Sequence, residues 1–577
     1  MQIFSDRIRD TISRHTGIAA AEVKIELPRD TAMGDLAFPC FVVAKALKKP
    51  PPAVAAELAA KITADLKGIT AVATGPYINF KIDRAELARA VLGDVATKQA
   101  QYGGSSVGAG KTIVIDFSSP NIAKPMHVGH IRSTILGQAL QRIFDALGYR
   151  TVGINHIGDW GAQFGALVVA IRRWRNTVDL DTNPVHGLLE LYQRSKAANE
   201  SDPEFAREAK EAYIELESGR DGEVRELWRW ITEVSLRGFD KTYQRLGIRH
   251  DLVRGESYYE NLLEPTIRRI EEAGVTEVSQ GALIVQLGEV DKGLKEAPCL
   301  LRQTNGTTLY ATRDLAALFQ RFEEFHFERC LYVVGAEQKL HFRQLKAVLK
   351  RMGMEWEPRV EHIDFGLLLG PGRVKLASRK GQVLVLDDLV DEVVEEAARV
   401  ITELQERRKE DEQLSAAQIP VIAEQVGIGA LVFNDVKRER IKDVLFDKSE
   451  IVSFEGDTGP YVQYTHARFS RILRRAIESG EGAATPDYAA LEDAGTMLVS
   501  LGRFPDVVRS AGDHAEPSEI ATYLLGLCRD LNTWYAHTRV LGQAPEVTAA
   551  RLAFVRAAKT VIANGLRLLG PAAPDEM

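Results

Sequence analysis

The clearest pattern in the chain is a short apolar run followed by a helical repeat near residue 130. Residues 113–117, IVIDF, form an apolar run of the kind that is typical of a buried parallel strand. After a polar loop, apolar residues recur every four positions from Ile131 to Leu147, which predicts a helix that begins close to His127. A strand, a loop and a helix N-terminus in this order form an anion site, because free backbone N–H groups point at the loop.

The rest of the chain shows four other patterns. The first hundred residues combine helical periodicity with the alternating run YINFKI, which predicts a small α+β domain. A glycine-rich stretch follows it and predicts a flexible linker. Farther on, the alternation of strands and helices stops for a charged helical insertion, and the last part of the chain is helical to its end. The expected units are a first domain at 1–102, the linker at 103–110, a Rossmann-type α/β domain at 111–425 with its insertion at about 171–300, and a helical domain at 426–577.

Composition narrows the class of protein only slightly. With 577 residues, of which 45% are hydrophobic and 27% charged, the chain has room for about three or four soluble domains. No tract is expected to span a membrane, and the N-terminus lacks the layout of a signal peptide, so a cytoplasmic location is expected. The net charge of −7 gives no general attraction to nucleic acid, so RNA contacts would need local basic patches. Four dispersed cysteines without CxxC argue against a zinc knuckle and a disulfide framework.

Two histidines, His127 and His130, stand on one face at the start of the predicted helix. Gly129 between them has no side chain, so a flat ring such as adenine could lie against the backbone. Such a pair alone is weak evidence, because polar residues are common in a first helical turn. The longer string SSPNIAKPMHVGHIRSTILG, however, resembles the HIGH signature region of class I aminoacyl-tRNA synthetases, and especially that of the arginyl enzymes.

Further blocks resemble the same family in the same order along the chain. They are GDLAFPCF and GPYINF in the first domain, GDWGAQFG after the second strand, KLASRKG where the KMSKS loop is expected, and GPYVQYTHARFS, which is similar to a DALR-type anticodon-binding domain. The loop departs from KMSKS because Ser378 replaces the second lysine. The resemblance implies a multidomain α/β protein with a Rossmann-type class I catalytic domain, an α+β N-terminal domain and an all-α C-terminal domain.

The resemblance also implies a reaction. L-arginine would be activated with ATP to arginyl-adenylate and then transferred to the 2′-hydroxyl of the 3′-terminal adenosine of tRNA(Arg). Such chemistry asks for positioning and charge stabilisation rather than for a nucleophile. The implied catalytic residues are His127, His130, Lys124, Lys375, Arg379 and Lys380, and those implied for ATP are Gly129, His127, His130 and Lys375. ATP would arrive with Mg²⁺, no protein-bound metal is expected, and the protein is expected to be a monomer that binds no membrane.

Recognition of arginine calls for carboxylates, because the guanidinium presents a planar fork of donors that a carboxylate meets bidentately. The residues that the resemblance implies here are Asp116, Ser119, Asn121, Tyr310, Asp314 and Gln338. Two simpler explanations stay open. Asp116 could merely cap a loop, and Asp314 could be an acid favoured by the positive end of a helix dipole.

Contact with tRNA is implied for three parts of the chain. The first domain would touch the corner of the tRNA, and the helical insertion would guide its acceptor end. On the helix after Gly459-Pro460, the residues implied for tRNA are Tyr464, His466, Arg468 and Arg471. Arginines beside aromatic rings suit phosphate contact and base stacking, although an ordinary exposed helix would look the same.

Two other functions remain as alternatives. A non-catalytic tRNA-binding paralogue would keep the fold, but the intact His127, Gly129, His130, Asp116 and Asp314 argue against it. A class I synthetase for another amino acid is the second alternative. An enzyme for glutamate or glutamine would need cations around the side chain, and one for cysteine would need zinc ligands.

Overall fold

The computed structural model describes residues 1–28, 30–376, 378–379, 382–406 and 413–577, apart from the side chains at 31, 371, 378, 379, 382 and 383. The N-terminal unit consists of α1 (Gln2–Thr16), β1 (Leu36–Pro39), α2 (Phe41–Leu47), α3 (Pro51–Asp65), β2 (Ile69–Thr74), β3 (Tyr77–Ile82) and α4 (Arg84–Lys98). Its strands form an antiparallel sheet of order β1-β3-β2. The predicted α+β domain is confirmed, and the run YINFKI is β3.

The catalytic unit continues the chain with alternating strands and helices. Its elements are β4 (Thr112–Asp116), α5 (Ile131–Ala146), β5 (Arg150–Asn155), α6 (Gln163–Trp174), α7 (Pro184–Ser201), α8 (Pro203–Glu217), α9 (Glu223–Leu246), β6 (Leu252–Val253), α10 (Leu263–Glu272), β7 (Thr276–Ser279), β8 (Ala282–Val285), β9 (Cys299–Arg302), α11 (Tyr310–Phe325), β10 (Arg329–Tyr332), α12 (Lys339–Arg351) and β11 (Val360–His362).

Five of these strands form a parallel sheet of order β11-β10-β4-β5-β6. The chain enters the sheet at β4, proceeds to one side through β5 and β6, and then returns to the other side through β10 and β11. A crevice therefore opens beyond the carboxyl ends of β4 and β10, which is where open α/β sheets bind ligands. The apolar run IVIDF provides the central strand, as its pattern predicted.

The predicted insertion is helical, but it ends earlier in the chain than predicted. α7, α8 and α9 are helical, whereas β6 already belongs to the parallel sheet. The strands β7, β8 and β9 then form a separate antiparallel sheet. The helical part therefore ends at Leu246 and not near residue 300. These strands are only 2 to 4 residues long, too short for an alternating pattern to be visible in the sequence.

The glycine-rich stretch 103–110 is a packed connection, and the prediction of a flexible linker was wrong. Ser105 N donates to Ala146 O, and Gly108 N donates to Leu147 O, each at 2.9 Å. A Cβ atom on Gly108 would lie 2.3 Å from the ring of Tyr149. Glycine is present here because it permits close packing against the end of α5, and not because the chain must move.

The remaining elements lead from the basic loop into a helical C-terminal unit. They are β12 (Leu368–Leu369), β13 (Ser378–Arg379), β14 (Gln382–Val383), α13 (Leu386–Gln405), α14 (Gln418–Val436), β15 (Val444–Leu445), α15 (Lys448–Ile451), α16 (Gly459–Glu478), α17 (Gly495–Asp513), α18 (Ser518–His537) and α19 (Pro545–Leu569). The boundary predicted between 425 and 426 falls inside α14, so the two units cannot divide there.

Helix α14 is also long and apolar enough to cross a membrane, by length and composition alone, although no such tract was expected. Most of its apolar stretch is buried, including Val426, Leu431 and Phe433. It packs against α13 and α16. Because a core helix of a folded protein passes the same test of length and composition, α14 is weak evidence for a membrane.

Candidate active site

The histidine pair lies on the turn that leads into α5. Residues Val128–His130 form a single 3-10 turn directly before the helix. Gly129 N donates to Nδ1 of His127, and His127 N donates to Nδ1 of His130, each at 3.1 Å. Because each Nδ1 accepts a hydrogen bond from the backbone, each ring is neutral and carries its proton on Nε2.

The surroundings reinforce this neutral state. Burial lowers the pKa of His127, and the charges of Lys124 and Lys375 lower it further. Burial, followed by the neighbouring His127, lowers the pKa of His130 to about 3. The ring centroids are 3.9 Å apart, so two charged rings would also repel each other. At neutral pH the turn therefore offers two Nε2–H donors, and the positive charge comes from nearby lysines.

The chain that follows the β13–β14 hairpin is hydrogen-bonded to the histidine segment. Val128 N donates to Leu384 O at 3.1 Å, and Leu386 N donates to Met126 O at 2.9 Å. These bonds bring the basic loop beside the histidine turn, although the two are far apart in the sequence. Lys375 is exposed where this loop begins. Lys380 and the side chain of Arg379 lie outside the described residues.

The loop between β4 and the histidine turn has an unusual backbone. Ser118, Ser119 and Ala123 have φ values of 75°, 50° and 65°, in the left-handed region that residues other than glycine rarely adopt. Such conformations persist only where surrounding contacts hold them, and they cluster at functional sites. Asn121 is exposed on this loop, and Lys124 is half-buried at its end.

Asp116 does not present a free carboxylate to a ligand, which contradicts its predicted role. It is the last residue of β4 and is only 3% exposed. Its Oδ2 accepts from Arg321 Nη2 at 2.7 Å, and its Oδ1 accepts from the hydroxyl of Ser119 at 3.0 Å. The charge of Arg321 offsets that of Asp116, so an incoming guanidinium would meet a carboxylate that is already paired.

Arg321, which is fully buried on α11, was not among the residues predicted for the site. Arginine is almost never fully buried unless it is paired, so a core position was not expected for it. One signal could have revealed it. Arg321 stands two helical turns after Asp314 and therefore on the same face of α11, the face that the resemblance had already assigned to the site.

Asp314 lies in the second turn of α11 at the crevice. Its Oδ2 accepts from Nε2 of His341 on α12 at 2.5 Å, and its side chain is 22% exposed. Tyr310, one turn earlier, is 69% exposed, and Gln338 is exposed on the turn after β10. The helices that follow β9 and β10 thus bring these predicted residues to the carboxyl edge of the sheet.

A second acid near Asp314 was not singled out from the sequence. Burial raises the pKa of Glu256 to about 7; Arg313 opposes this rise, whereas Asp159 and Asp314 add to it. A cation that binds beside Asp314 would stabilise the charged form of Glu256. A half-buried carboxyl with so perturbed a pKa is a common feature of ligand sites.

The side chains that could bind a metal or react as thiols are dispersed among the described residues. Within the part of the chain that the structure describes, no group of three or more His, Cys, Asp or Glu side chains is placed to hold a metal ion. The free cysteines Cys40, Cys299, Cys330 and Cys528 are buried. Burial raises the pKa of each thiol to about 12, so none is a reactive thiolate.

A pocket lined by arginines, aromatic rings and acids lies on α16 in the C-terminal unit. Its volume is about 620 Å³, and its lining includes Tyr464, Arg468, Arg471 and Tyr535, together with the acids Glu478, Asp575 and Glu576. The guanidinium carbon of Arg468 lies 4.9 Å from the ring centroid of Tyr464 and 5.8 Å from that of Tyr535. Arginine and aromatic rings that line one open pocket can bind a phosphate and stack on a base.

His466 is not part of this pocket, and its predicted contact with tRNA is wrong. The residue is only 2% exposed, and its Nδ1 donates to the carbonyl oxygen of Pro574 at 2.8 Å. Burial lowers the pKa of His466, although the hydrogen bond to Pro574 opposes the change. The ring fastens the C-terminal tail to α16, and a buried ring cannot stack on a nucleobase.

The parallel sheet carries a neutral histidine turn, which lies against the chain of the basic loop. A helical unit with an arginine-lined pocket follows. Together these features define the class of protein as a class I aminoacyl-tRNA synthetase. Comparison with known families shows which family within this class the chain belongs to. Residues 92–448 match the catalytic domain of class I (R) tRNA synthetases, 2–82 the arginyl-tRNA synthetase N-terminal domain, and 462–577 the DALR anticodon-binding domain. The chain belongs to the arginyl-tRNA synthetase family.

Individual proteins agree with these matches. The chain is 42% identical to the arginine–tRNA ligase of Ligilactobacillus salivarius over 557 residues, which cover 96% of this chain and 95% of that protein. It is 40% identical to the enzyme of Lactococcus lactis over 581 residues, with 100% and 99% covered. Among solved structures, Thermus thermophilus arginyl-tRNA synthetase superposes over the whole of both chains with a TM-score of 0.82 at 27% identity. The Plasmodium falciparum enzyme, at 22% identity and a TM-score of 0.78, shares the fold over 100% of this chain and 99% of its own.

Proposed function

We propose that this chain activates L-arginine with ATP and transfers it to the 2′-hydroxyl at the 3′ end of an arginine-accepting tRNA. The observation that carries the proposal is the full-length likeness to arginine–tRNA ligases. In the first step the carboxylate of arginine attacks the α-phosphorus of ATP, and pyrophosphate leaves. In the second step the tRNA hydroxyl attacks the carbonyl carbon of the arginyl-adenylate, and AMP leaves.

ATP, with its Mg²⁺, would lie across the histidine turn. The Nε2–H groups of His127 and His130 would donate to phosphate oxygens, while Gly129 leaves room for the adenine ring. Lys124 and Lys375 lower the pKa of His127, which supports a position close to the same phosphates. We assign Arg379 and Lys380 to the pyrophosphate end by their place in the loop. Donors and cations placed in advance lower the barrier because phosphate charge redistributes in the transition state.

Arginine would lie in the crevice beyond β4 and β10. Asp314 is the acid that would pair with the guanidinium, with Tyr310 beside it and Glu256 as a second acid. Ser119, Asn121 and Gln338 would hold the amino and carboxylate end of the substrate. Asp116 would act indirectly, because its carboxylate, neutralised by Arg321, accepts the hydroxyl of Ser119.

The tRNA would bind along the C-terminal unit and reach the crevice with its 3′ end. Tyr464, Arg468 and Arg471 would contact a base and its phosphates in the pocket on α16. The N-terminal unit would touch another part of the tRNA. We also expect a cytoplasmic monomer, on the basis of the family alone.

A charging assay tests this function. Total tRNA is incubated with the purified protein, ATP, Mg²⁺ and each of the radiolabelled amino acids in turn. Label should enter tRNA only with arginine. The matched control is the His127→Asn/His130→Asn variant, which should lose charging while still binding tRNA. Charging with a different amino acid would refute the specificity, and tRNA binding without any charging would favour a non-catalytic paralogue.

A further inference from the structure

The helical insertion contacts the loop between β4 and the histidine turn at three points. The hydroxyl oxygens of Tyr243 on α9 and Ser118 lie 2.7 Å apart. Ser235, also on α9, accepts from Ala123 N at 2.9 Å. Both loop residues have left-handed backbone conformations, so each bond holds a residue that would not adopt its conformation unaided. The insertion therefore supports the shape of this loop.

The third contact involves the lysine at the end of the loop. Nζ of Lys124 lies 4.0 Å from the ring centroid of Tyr192 on α7. Both side chains are half-buried, and a partly dehydrated ammonium is attracted more strongly to the face of an aromatic ring than an exposed one. Tyr192 also packs against the hydrophobic core, and this packing restricts the positions that its ring can adopt.

A lysine ammonium on a four-carbon stem is otherwise free to occupy many positions. Contact with a ring that is itself anchored restricts that freedom before any ligand arrives. The same ammonium lies close enough to the histidine turn to lower the pKa of His127. Tyr192 therefore determines where a cation stands at the entrance to the nucleotide site, although it belongs to the insertion and not to the parallel sheet.

We propose that Tyr192 is a positioning residue for amino-acid activation, which holds the Lys124 ammonium in place for the phosphates of ATP. This inference rests on the proposed role of Lys124. It gives the insertion a part in the first chemical step, through the contact of one ring with one cation. The aromatic face is what acts, so the hydroxyl of Tyr192 is dispensable.

The first test compares substitutions that keep or remove the ring. Tyr192→Leu should lower kcat for charging by about 3- to 10-fold, because the cation–ring contact is lost. The KM for arginine should stay unchanged. Tyr192→Phe keeps the ring and should retain nearly full activity. If Tyr192→Leu folds poorly in a thermal melt, Tyr192→Met provides a second apolar side chain without a ring. Equal losses in the Phe and Leu variants would refute the proposal.

A double-mutant cycle shows whether Tyr192 acts through Lys124. Lys124→Met should itself reduce kcat, and Tyr192→Leu should cause no further loss in that background. If the two substitutions reduce kcat independently, so that their losses multiply, the role of Tyr192 is refuted and the role of Lys124 stands. The same conclusion follows if Lys124→Met is impaired and Tyr192→Leu is fully active. A fully active Lys124→Met variant would instead overturn the proposed role of Lys124. As a matched control, Arg194→Gln removes another cation of α7 from an aromatic ring, that of Trp174 on α6 at 4.6 Å, and should leave kcat unchanged.

Discussion

Arg132 donates from Nε to Oδ1 of Asp435 at 2.7 Å, and neither side chain is more than 4% exposed. Arg132 lies in the first turn of α5, two residues after His130, whereas Asp435 lies near the end of α14. Nη1 of Arg132 also donates to the carbonyl oxygens of Gly366 and Lys442. A single buried guanidinium thus joins the helix of the histidine turn to the C-terminal unit.

The stability of the protein should depend on this pair. Asp435→Leu leaves a buried guanidinium without its partner and should lower the free energy of unfolding by about 3–5 kcal/mol. The double variant Arg132→Met/Asp435→Leu should regain much of that loss, because no unpaired charge remains. Denaturant titration followed by circular dichroism measures both. Arg399→Gln, which breaks the pairs of an exposed arginine with Glu396 and Glu403, is the control and should change stability by less than about 1 kcal/mol. An Asp435→Leu variant as stable as the wild type would contradict the prediction.

Binding of arginine should depend on Asp314. Asp314→Asn keeps the shape but removes the charge that the guanidinium needs, which should cost about 2–5 kcal/mol, or about 30- to several-thousand-fold in kcat/KM for arginine. Binding of ATP in the absence of arginine should hardly change, as measured by calorimetry. Glu323→Gln on the same helix is the matched control, because Glu323 is exposed and paired with Arg269. Unchanged arginine kinetics would show that another acid receives the guanidinium.

Binding of tRNA should depend on the arginines of the pocket on α16. Arg468→Ala together with Arg471→Ala should raise KM for tRNA and reduce the dependence of binding on salt. The reason is that fewer counterions leave the RNA phosphates when the protein binds. Filter binding at several salt concentrations measures the slope. The control is Arg399→Ala with Lys442→Ala, because it removes the same number of exposed positive charges outside the pocket. An unaltered slope in the pocket variant would refute contact between RNA and this surface.

Activation of arginine should require bound tRNA. The loop KLASRKG has Ser378 in place of the second lysine of the KMSKS motif, so we expect that it does not hold ATP productively by itself. Contacts with tRNA would favour the closed loop, as a ligand shifts a population towards the state that it binds better. Arginine-dependent exchange of pyrophosphate into ATP should be near background without tRNA, and Ser378→Lys should restore part of it. Strong exchange by the unmodified protein without RNA would contradict this mechanism.

Acid should destabilise the fold partly through His250. Its ring stacks on Phe117 at 4.3 Å between centroids, and burial lowers its pKa to about 4. The unfolded state, with an ordinary pKa of about 6.5, binds the proton first, so stability is complete above that pH and falls as the pH drops towards 4. His250→Asn should reduce the loss between pH 7 and 5 in denaturant titrations. The same loss in both proteins would show that other groups are responsible.

Local patterns in the sequence were sufficient for the central strand, for several of the long helices and for the family, but not for the short strands β6 to β9. The apolar run IVIDF predicted β4, because a strand that is buried on both faces is apolar at successive positions. The four-residue repeat after it predicted α5, because a helix buries the residues of one face at that spacing. Gly459-Pro460 marked the start of α16, where proline is tolerated in a first helical turn. The histidine turn and the block KLASRKG identified the family because each motif is contiguous.

Only the tertiary structure decided which polar groups meet. Asp116 was expected to face the substrate, but Arg321, from another element, neutralises it. His466 was expected at the surface, but the C-terminal tail covers it. The partners of Arg132 and Lys124 come from α14 and from the insertion, far away in the chain. Hydrophobic periodicity indicates which face of an element is buried. A buried charge, however, is stabilised by one particular partner. The sequence alone does not show which distant residue becomes that partner when the elements pack.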